Sequence, residues 1–91
     1  MQPRNSKKAK IIYQALAEAI QDLRLKQGKS QRILSSEYDY PKSLLSRVEN
    51  GVNEAKIISI WTISESLGIK ISDLLKIVEE KLPEDFKLMD E

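Results

Sequence analysis

Hydrophobic residues recur at helical spacing in the first third of the chain. One stripe, with intervals of 4, 3, 1 and 3 residues, consists of Ile12, Leu16, Ala19, Ile20 and Leu23. Such spacing is typical of the buried face of an α-helix. Gly28 follows as a stop signal, and basic residues in the turn before it suit the negative end of the helix dipole. The pattern predicts a first helix from about Lys8 to Gln27.

Two short helices are predicted next. Ser30 is a good N-cap for a helix from Gln31 to about Glu37, with Ile33 and Leu34 expected to face inward. The tripeptide Asp39-Tyr40-Pro41 breaks this helix, because proline disfavours a helical residue before it but fits the first turn of a new helix.

The third helix is expected from about Pro41 or Lys42 to Glu49, where Asn50-Gly51 ends it. Leu45 and Val48 are its predicted core residues.

Two further helices complete the predicted fold. The fourth runs from about Lys56 to Leu67, and we expect Trp61 to complete the core, with a place in a subunit interface as the alternative. One face of this helix is formed by Ile57, Ile60, Ser64 and Leu67, and the adjacent face by Ile58, Trp61 and Glu65. The fifth begins near Ile71 or Ser72 and stops at Pro83. No strand pattern emerges, so the fold class is all-α.

Composition excludes most catalytic chemistry. The 91 residues suit a single domain and contain neither Cys nor His. Disulfides, histidine or cysteine metal sites and Ser-His-Asp triads are therefore excluded. The carboxylates are dispersed, so we expect no enzyme activity, cofactor or metal. No apolar run approaches the ~20 residues that span a bilayer, and we expect a cytoplasmic protein that does not enter membranes.

The second and third helices, separated by a three-residue turn, have the layout of a helix-turn-helix. In that layout the first helix supports the second, whose exposed polar side enters the major groove of DNA. The exposed side predicted here consists of Lys42, Ser43, Ser46 and Arg47. Lys and Arg can pair with guanine, and Ser can contact several base edges.

Several sequence blocks strengthen this interpretation. They are Leu23-Arg24, Gly28-Lys29-Ser30-Gln31, Leu34-Ser35, Leu45-Ser46-Arg47-Val48-Glu49-Asn50-Gly51, Leu67-Gly68-Ile69 and Asp73-Leu74-Leu75. With their intervals, these blocks resemble the Cro/C1-type (XRE) helix-turn-helix family over about Ala19 to Leu75. The resemblance implies a compact five-helix bundle, lambda-repressor-like, that binds double-stranded DNA as a homodimer.

The resemblance also implies roles for individual residues. Helix 42–49 is the recognition helix, and the expected base contacts come from Lys42, Ser43, Ser46 and Arg47. The expected contacts to the DNA backbone come from Gln31, Arg32 and Asn50. Arg24 and Glu49 match a pair that in this family often joins helix 1 to the end of helix 3.

The sequence departs from the family pattern around the recognition helix. Asp39 occupies a turn position usually held by Gly, and Pro41 replaces the usual Ser or Thr cap. Ser35 replaces a small Ala. Leu44 stands at an often polar position, where it either packs on a thymine methyl or is merely exposed. These changes affect the expected base contacts more than the expected fold.

The formal net charge of +1 conceals an uneven distribution. Residues 1–32 contain eight basic and two acidic side chains, a net charge of +6, whereas residues 33–91 carry −5. We divide the chain into a flexible basic arm (1–10), a DNA-binding domain (11–82) and an acidic tail (83–91). The arm either contacts DNA or is a solubilising tail, and its candidate contacts are Arg4, Lys7, Lys8 and Lys10.

The sequence thus predicts a small repressor-like transcription regulator. Two alternatives remain open. One is an antitoxin or accessory subunit whose C-terminal segment binds a partner protein. The other is a protein-interaction module that has lost DNA binding, which the departures at Asp39 and Pro41 allow.

Overall fold

The chain folds into five α-helices in a computed structural model that describes residues 7–51 and 54–89. The helices are α1 (Lys7–Lys26), α2 (Gln31–Glu37), α3 (Lys42–Glu49), α4 (Ile57–Ser66) and α5 (Ile71–Lys81). No strand occurs in the described ranges, which agrees with the predicted all-α class. None of the helices in these ranges has the length and apolar character to cross a membrane.

Each helix contributes one apolar side chain with no exposed surface to a single core. These residues are Ile20 from α1, Leu34 from α2, Leu45 from α3, Ile63 from α4 and Leu74 from α5. Full burial of one such side chain contributes roughly 1.5–3 kcal/mol. The bundle is therefore stabilised by all five helices together.

α1 begins inside the segment that the sequence predicted to be a flexible arm. Residues 7–10 form its first turn, and Ala9 is buried at 5% exposure. Ala9 extends the apolar stripe toward the N-terminus by one turn, which favours continuation of the helix. Residues 7–10 therefore belong to α1, close to the predicted helix start at Lys8, and not to a flexible arm. Arg4 lies outside the described residues.

Two predicted core residues face solvent instead. Ile33 is 49% exposed and Trp61 is 46% exposed. In α2 the core contact is made by Leu34, and the neighbouring Ile33 is rotated away by about 100°. In α4 the buried stripe passes through Ile60, Ile63 and Ser64, which turns Trp61 outward.

α1 and the end of α3 approach each other closely. Gly51 has φ +71°, and a Cβ added there would lie 3.3 Å from the Cβ of Ala17. Farther along α1, the side-chain amide of Gln27 donates to the Leu67 carbonyl at 2.9 Å. α1 thus contacts the segments that follow both α3 and α4.

The turn between α2 and α3 closes despite its unusual residues. Asp39 adopts φ +57°, a left-handed conformation that Asp tolerates better than most residues. The Tyr40 N–H donates to the Ser35 carbonyl at 3.0 Å, and the Leu44 N–H donates to the Pro41 carbonyl at 3.0 Å. The Pro41 side chain forms no cap, yet α3 begins directly after it.

Tyr40 fixes this turn to α4. The Ser66 hydroxyl donates its single hydrogen to the Ile63 carbonyl at 2.7 Å. The phenol of Tyr40 is therefore the donor in the 2.9 Å contact between the two hydroxyl oxygens. Burial raises the pKa of the Tyr40 phenol above its ordinary value.

The segment after α5 forms a turn. The Phe86 N–H donates to the Pro83 carbonyl at 3.0 Å. Phe86 and Leu88 are half-buried, and Met89 is 55% exposed.

We expect Tyr40→Phe to lower the free energy of unfolding by about 1 kcal/mol at pH 7, because one hydrogen bond is lost. The folded chain holds the phenol proton more tightly than the unfolded chain, whose pKa is about 10. The contribution is therefore present below pH 10 and is lost as the pH rises through the folded value. Urea unfolding between pH 7 and 11 should show the difference between variant and wild type shrinking.

Tyr38→Phe is the matched control, since Tyr38 is 51% exposed. We expect it to leave the free energy of unfolding unchanged at each pH. If the difference in free energy of unfolding between Tyr40→Phe and the wild type stayed constant from pH 7 to 11, the raised pKa of the Tyr40 phenol would be contradicted.

Candidate nucleic-acid interface

α3 buries one side and presents a polar, basic side. Leu45 and Val48 are its buried residues, whereas Lys42, Ser43 and Arg47 are exposed. Lys42 and Ser46 are four residues apart, as are Ser43 and Arg47, so each pair lies on one side of the helix and the two pairs are adjacent. Ser46 is half-buried. The burial pattern thus places all four predicted base-contact residues away from the core.

The two cations of this face form no ion pair within the described residues. Within residues 7–51 and 54–89, neither Lys42 nor Arg47 is paired with a carboxylate. The Arg47 Nε donates to the Ser43 carbonyl of the same helix at a long 3.4 Å. Both groups are therefore exposed and form no ion pair with a described carboxylate, while Glu54 lines the same cleft as Arg47.

An ion pair fixes the position of α3 behind this face. Arg24 donates from Nε and Nη2 to the two carboxylate oxygens of Glu49, each at 2.8 Å. The side chains of this pair are only 8% and 3% exposed. The remaining guanidinium nitrogen, Nη1, donates to the Lys29 carbonyl at 2.9 Å. One side chain of α1 thereby holds the end of α3 and the residue before the cap of α2.

Glu49 accepts a further hydrogen bond from α2. The Gln31 side-chain amide donates to Glu49 Oε1 at 3.0 Å. The hydrogen bond from Arg24 to Glu49 is the main cause that raises the pKa of the Arg24 guanidinium, with a smaller opposing effect from burial. No buried side-chain nitrogen or oxygen of the described ranges lacks a partner. The pair therefore lies in a fully hydrogen-bonded environment.

The start of α2 lies next to this pair. Ser30 caps the helix by accepting from the Ile33 N–H at 3.1 Å. Arg32 is exposed, and Gln31 is half-buried with its amide on Glu49. The residue after α3, Asn50, is also exposed. The predicted backbone-contact residues therefore flank the ends of α2 and α3.

Two residues beside α3, Lys56 and Ser59, were not predicted from the sequence. A cleft of about 360 Å³ between α3 and α4 is lined by Arg47, Lys56 and Ser59 among others. Leu44 also lines it and packs half-buried against the core. Lys56 lies here because the start of α4 packs near α3, a tertiary contact that sequence spacing does not give. In the sequence, the only indication of a role for Lys56 is that a basic residue stands just before an apolar helix.

The remaining predicted contacts lie on α1 or outside the described residues. Lys7 and Lys10 are exposed in the first turn of α1, and Lys8 is half-buried.

No group of three or more carboxylates within residues 7–51 and 54–89 is arranged to hold a metal ion. The exposed side of α3 and the start of α2 are thus rich in hydrogen-bond donors and cations, which suits binding of an anionic polymer.

Comparison with known families gives a match to this same region. A family model described as helix-turn-helix matches residues 20–74. The match runs from the second half of α1 into α5 and covers more than half of the chain. No curated protein and no solved structure matches the chain significantly.

We expect Arg24→Met to lower the free energy of unfolding by about 3 kcal/mol, because it leaves the buried Glu49 carboxylate without its cation. Urea unfolding measures the loss. Lys81→Met is the matched control, since it removes an exposed 3.1 Å pair with Asp22. An exposed pair contributes at most about 1 kcal/mol. Equal losses for the two variants would contradict a structural role for the buried pair.

Proposed function

We propose that this chain, which belongs to the Cro/C1-type (XRE) helix-turn-helix family, binds a specific DNA operator with α3 in the major groove and acts as a repressor. The family consists of DNA-binding transcription regulators. The observation that carries the proposal is the face of α3, where Lys42 and Arg47 are exposed and have no carboxylate partner among residues 7–51 and 54–89.

Base recognition is assigned to this face. Arg47 and Lys42 have the donors that pair with O6 and N7 of guanine. Ser43 and Ser46 lie between them and supply shorter hydroxyl contacts. Arg has the larger role, because its planar fork can donate two hydrogen bonds to one guanine.

Contacts to the phosphate backbone would set the register of α3. Gln31 remains suited to this role, because an amide nitrogen has two hydrogens and only one is used by Glu49. Arg32 and Asn50 are exposed at the neighbouring helix ends. The exposed Lys7 and Lys10 are further candidates on α1.

The turn geometry favours this function over a module that has lost DNA binding. Asp39 takes the left-handed conformation that a Gly would take, and α3 still begins at Lys42. The departures from the family sequence therefore leave the helix-turn-helix geometry intact. We propose that two copies bind a two-fold operator, with one recognition helix in each half-site about one helical turn apart.

The direct test is titration of random-sequence duplex DNA at about 50 mM and 200 mM salt, a range over which phosphate contacts weaken strongly. We expect measurable binding at the lower salt and a clear loss of affinity at the higher, because each neutralised phosphate releases counterions. Complete absence of binding at low salt would overturn the proposed function.

Arg47→Ala tests the specific contact. An operator is first selected from a random duplex pool with the wild-type chain, and its affinity is then compared with that of random DNA. We expect the variant to lose about 1–3 kcal/mol of operator preference while retaining most random-DNA binding.

Lys76→Ala on α5 is the control, because it removes one exposed cation from a helix outside the proposed interface. We expect it to preserve operator preference. An unchanged preference in Arg47→Ala would remove Arg47 from the base-contact set.

A further inference from the structure

α4 presents an apolar face to solvent. Ile57, Ile58 and Trp61, together called the α4 face here, are 53%, 71% and 46% exposed. Trp61 is four residues from Ile57 and three from Ile58, so its side chain neighbours both isoleucines on the helix surface. Single exposed apolar residues are common, but a contiguous group of this kind marks an interaction site.

The neighbouring hydroxyl does not interrupt this face. Thr62 lies beside Trp61, and its hydroxyl donates to the Ile58 carbonyl within the same helix at 2.9 Å. The hydrogen-bonding capacity of Thr62 is thus directed at the backbone of α4. The α4 face therefore loses little hydrogen bonding to water when it is covered.

A groove continues the α4 face at its C-terminal side. It has a volume of about 490 Å³, lies between the end of α4 and the start of α5, and is lined by Trp61, Ile69 and Ile71 among others. Glu65 and Lys70 also line it. Because Trp61 belongs to both features, the protruding isoleucines and the groove form one continuous surface.

We propose that this surface is the homodimer interface and that its occupant is a second copy of the chain. The inference rests on the homodimer of the proposed function and names its contact surface. A two-fold interface must be complementary to itself. This surface has a protruding Ile58, a groove that can receive an apolar side chain, and charges of both signs, Glu65 and Lys70.

DNA binding leaves this surface free. The proposed DNA contacts come from α1, α2 and α3 and from Asn50, and none of them belongs to the α4 face. The start of α4 nevertheless lies near α3, since Lys56 and Arg47 line the same cleft. Pairing through α4 therefore couples two recognition helices without covering them.

The size of the surface sets the expected strength of the dimer. Stable protein complexes bury about 800 Å² per partner, and three side chains with one groove provide less. We therefore expect a weak dimer in solution that DNA strengthens by holding two copies on adjacent half-sites.

Sedimentation equilibrium of the full chain, over roughly 1 µM to 1 mM, tests the inference with Ile58→Glu. We expect the wild type to show a monomer–dimer equilibrium. The variant should raise the dissociation constant at least tenfold, because each copy then places a carboxylate against the apolar groove of the other. Leu25→Glu on α1 is the matched control, since Leu25 is 59% exposed, and it should leave the constant unchanged.

A charge exchange provides a second variant that does not alter the apolar residues. We expect Glu65→Lys alone to weaken the dimer. Positions 65 and 70 of both copies are then all positively charged and repel one another. The combined Glu65→Lys and Lys70→Glu variant should restore the wild-type constant to within about threefold, since the charges balance again. Circular dichroism confirms that each variant is folded.

The outcomes separate this inference from the proposed function. A wild type that is monomeric throughout, as expected if the tail or another protein covers the α4 face, overturns the inference. A dimer unaffected by Ile58→Glu also overturns it. Binding to a single half-site should change less than twofold in Ile58→Glu. If the wild type binds no DNA, only the proposed function fails, provided that Ile58→Glu still breaks the dimer.

Discussion

The guanidinium of Arg24 joins the ends of three helices. It belongs to α1, holds the carboxylate at the end of α3 and bonds the carbonyl of Lys29 just before α2. Removing a charged pair from water is costly, and only several well-placed hydrogen bonds offset that cost. This requirement restricts the mutual orientation of α2 and α3, which is the quantity that a DNA-binding surface must control.

The need for such a contact follows from helix length. α2 has 7 residues and α3 has 8, whereas isolated helices shorter than ~12–15 residues are marginal in water. Neither helix is expected to persist alone. α2 is held by Leu34 and by the hydrogen bond from Gln31 to Glu49, and α3 is held by Leu45, Val48 and the Arg24–Glu49 pair. The exposed face of α3 is therefore a property of the tertiary structure and not of the α3 sequence by itself.

The sequence predicted the helix bounds well because each bound has a local chemical cause, such as a cap or a helix-breaking residue. It did not predict the rotation of every helix. α4 is apolar on more than one side, so periodicity could not decide whether Trp61 faced inward, and the seven-residue α2 gave the same ambiguity at Ile33. The Arg24–Glu49 contact joins positions 25 residues apart, and the family resemblance, rather than spacing, indicated it. The Lys29 carbonyl is a backbone atom, for which no side-chain pattern gives a signal.

The close approach of Gly51 to Ala17 has an evolutionary consequence. A Cβ at position 51 would lie within 3.3 Å of the Ala17 methyl, and position 51 also requires a left-handed backbone. Enlarging either residue would push the end of α3 away from α1 and strain the nearby Arg24–Glu49 contact. Among descendants of this chain, the two positions should therefore change together or remain small, so that the spacing between these helices is inherited as a linked pair of residues.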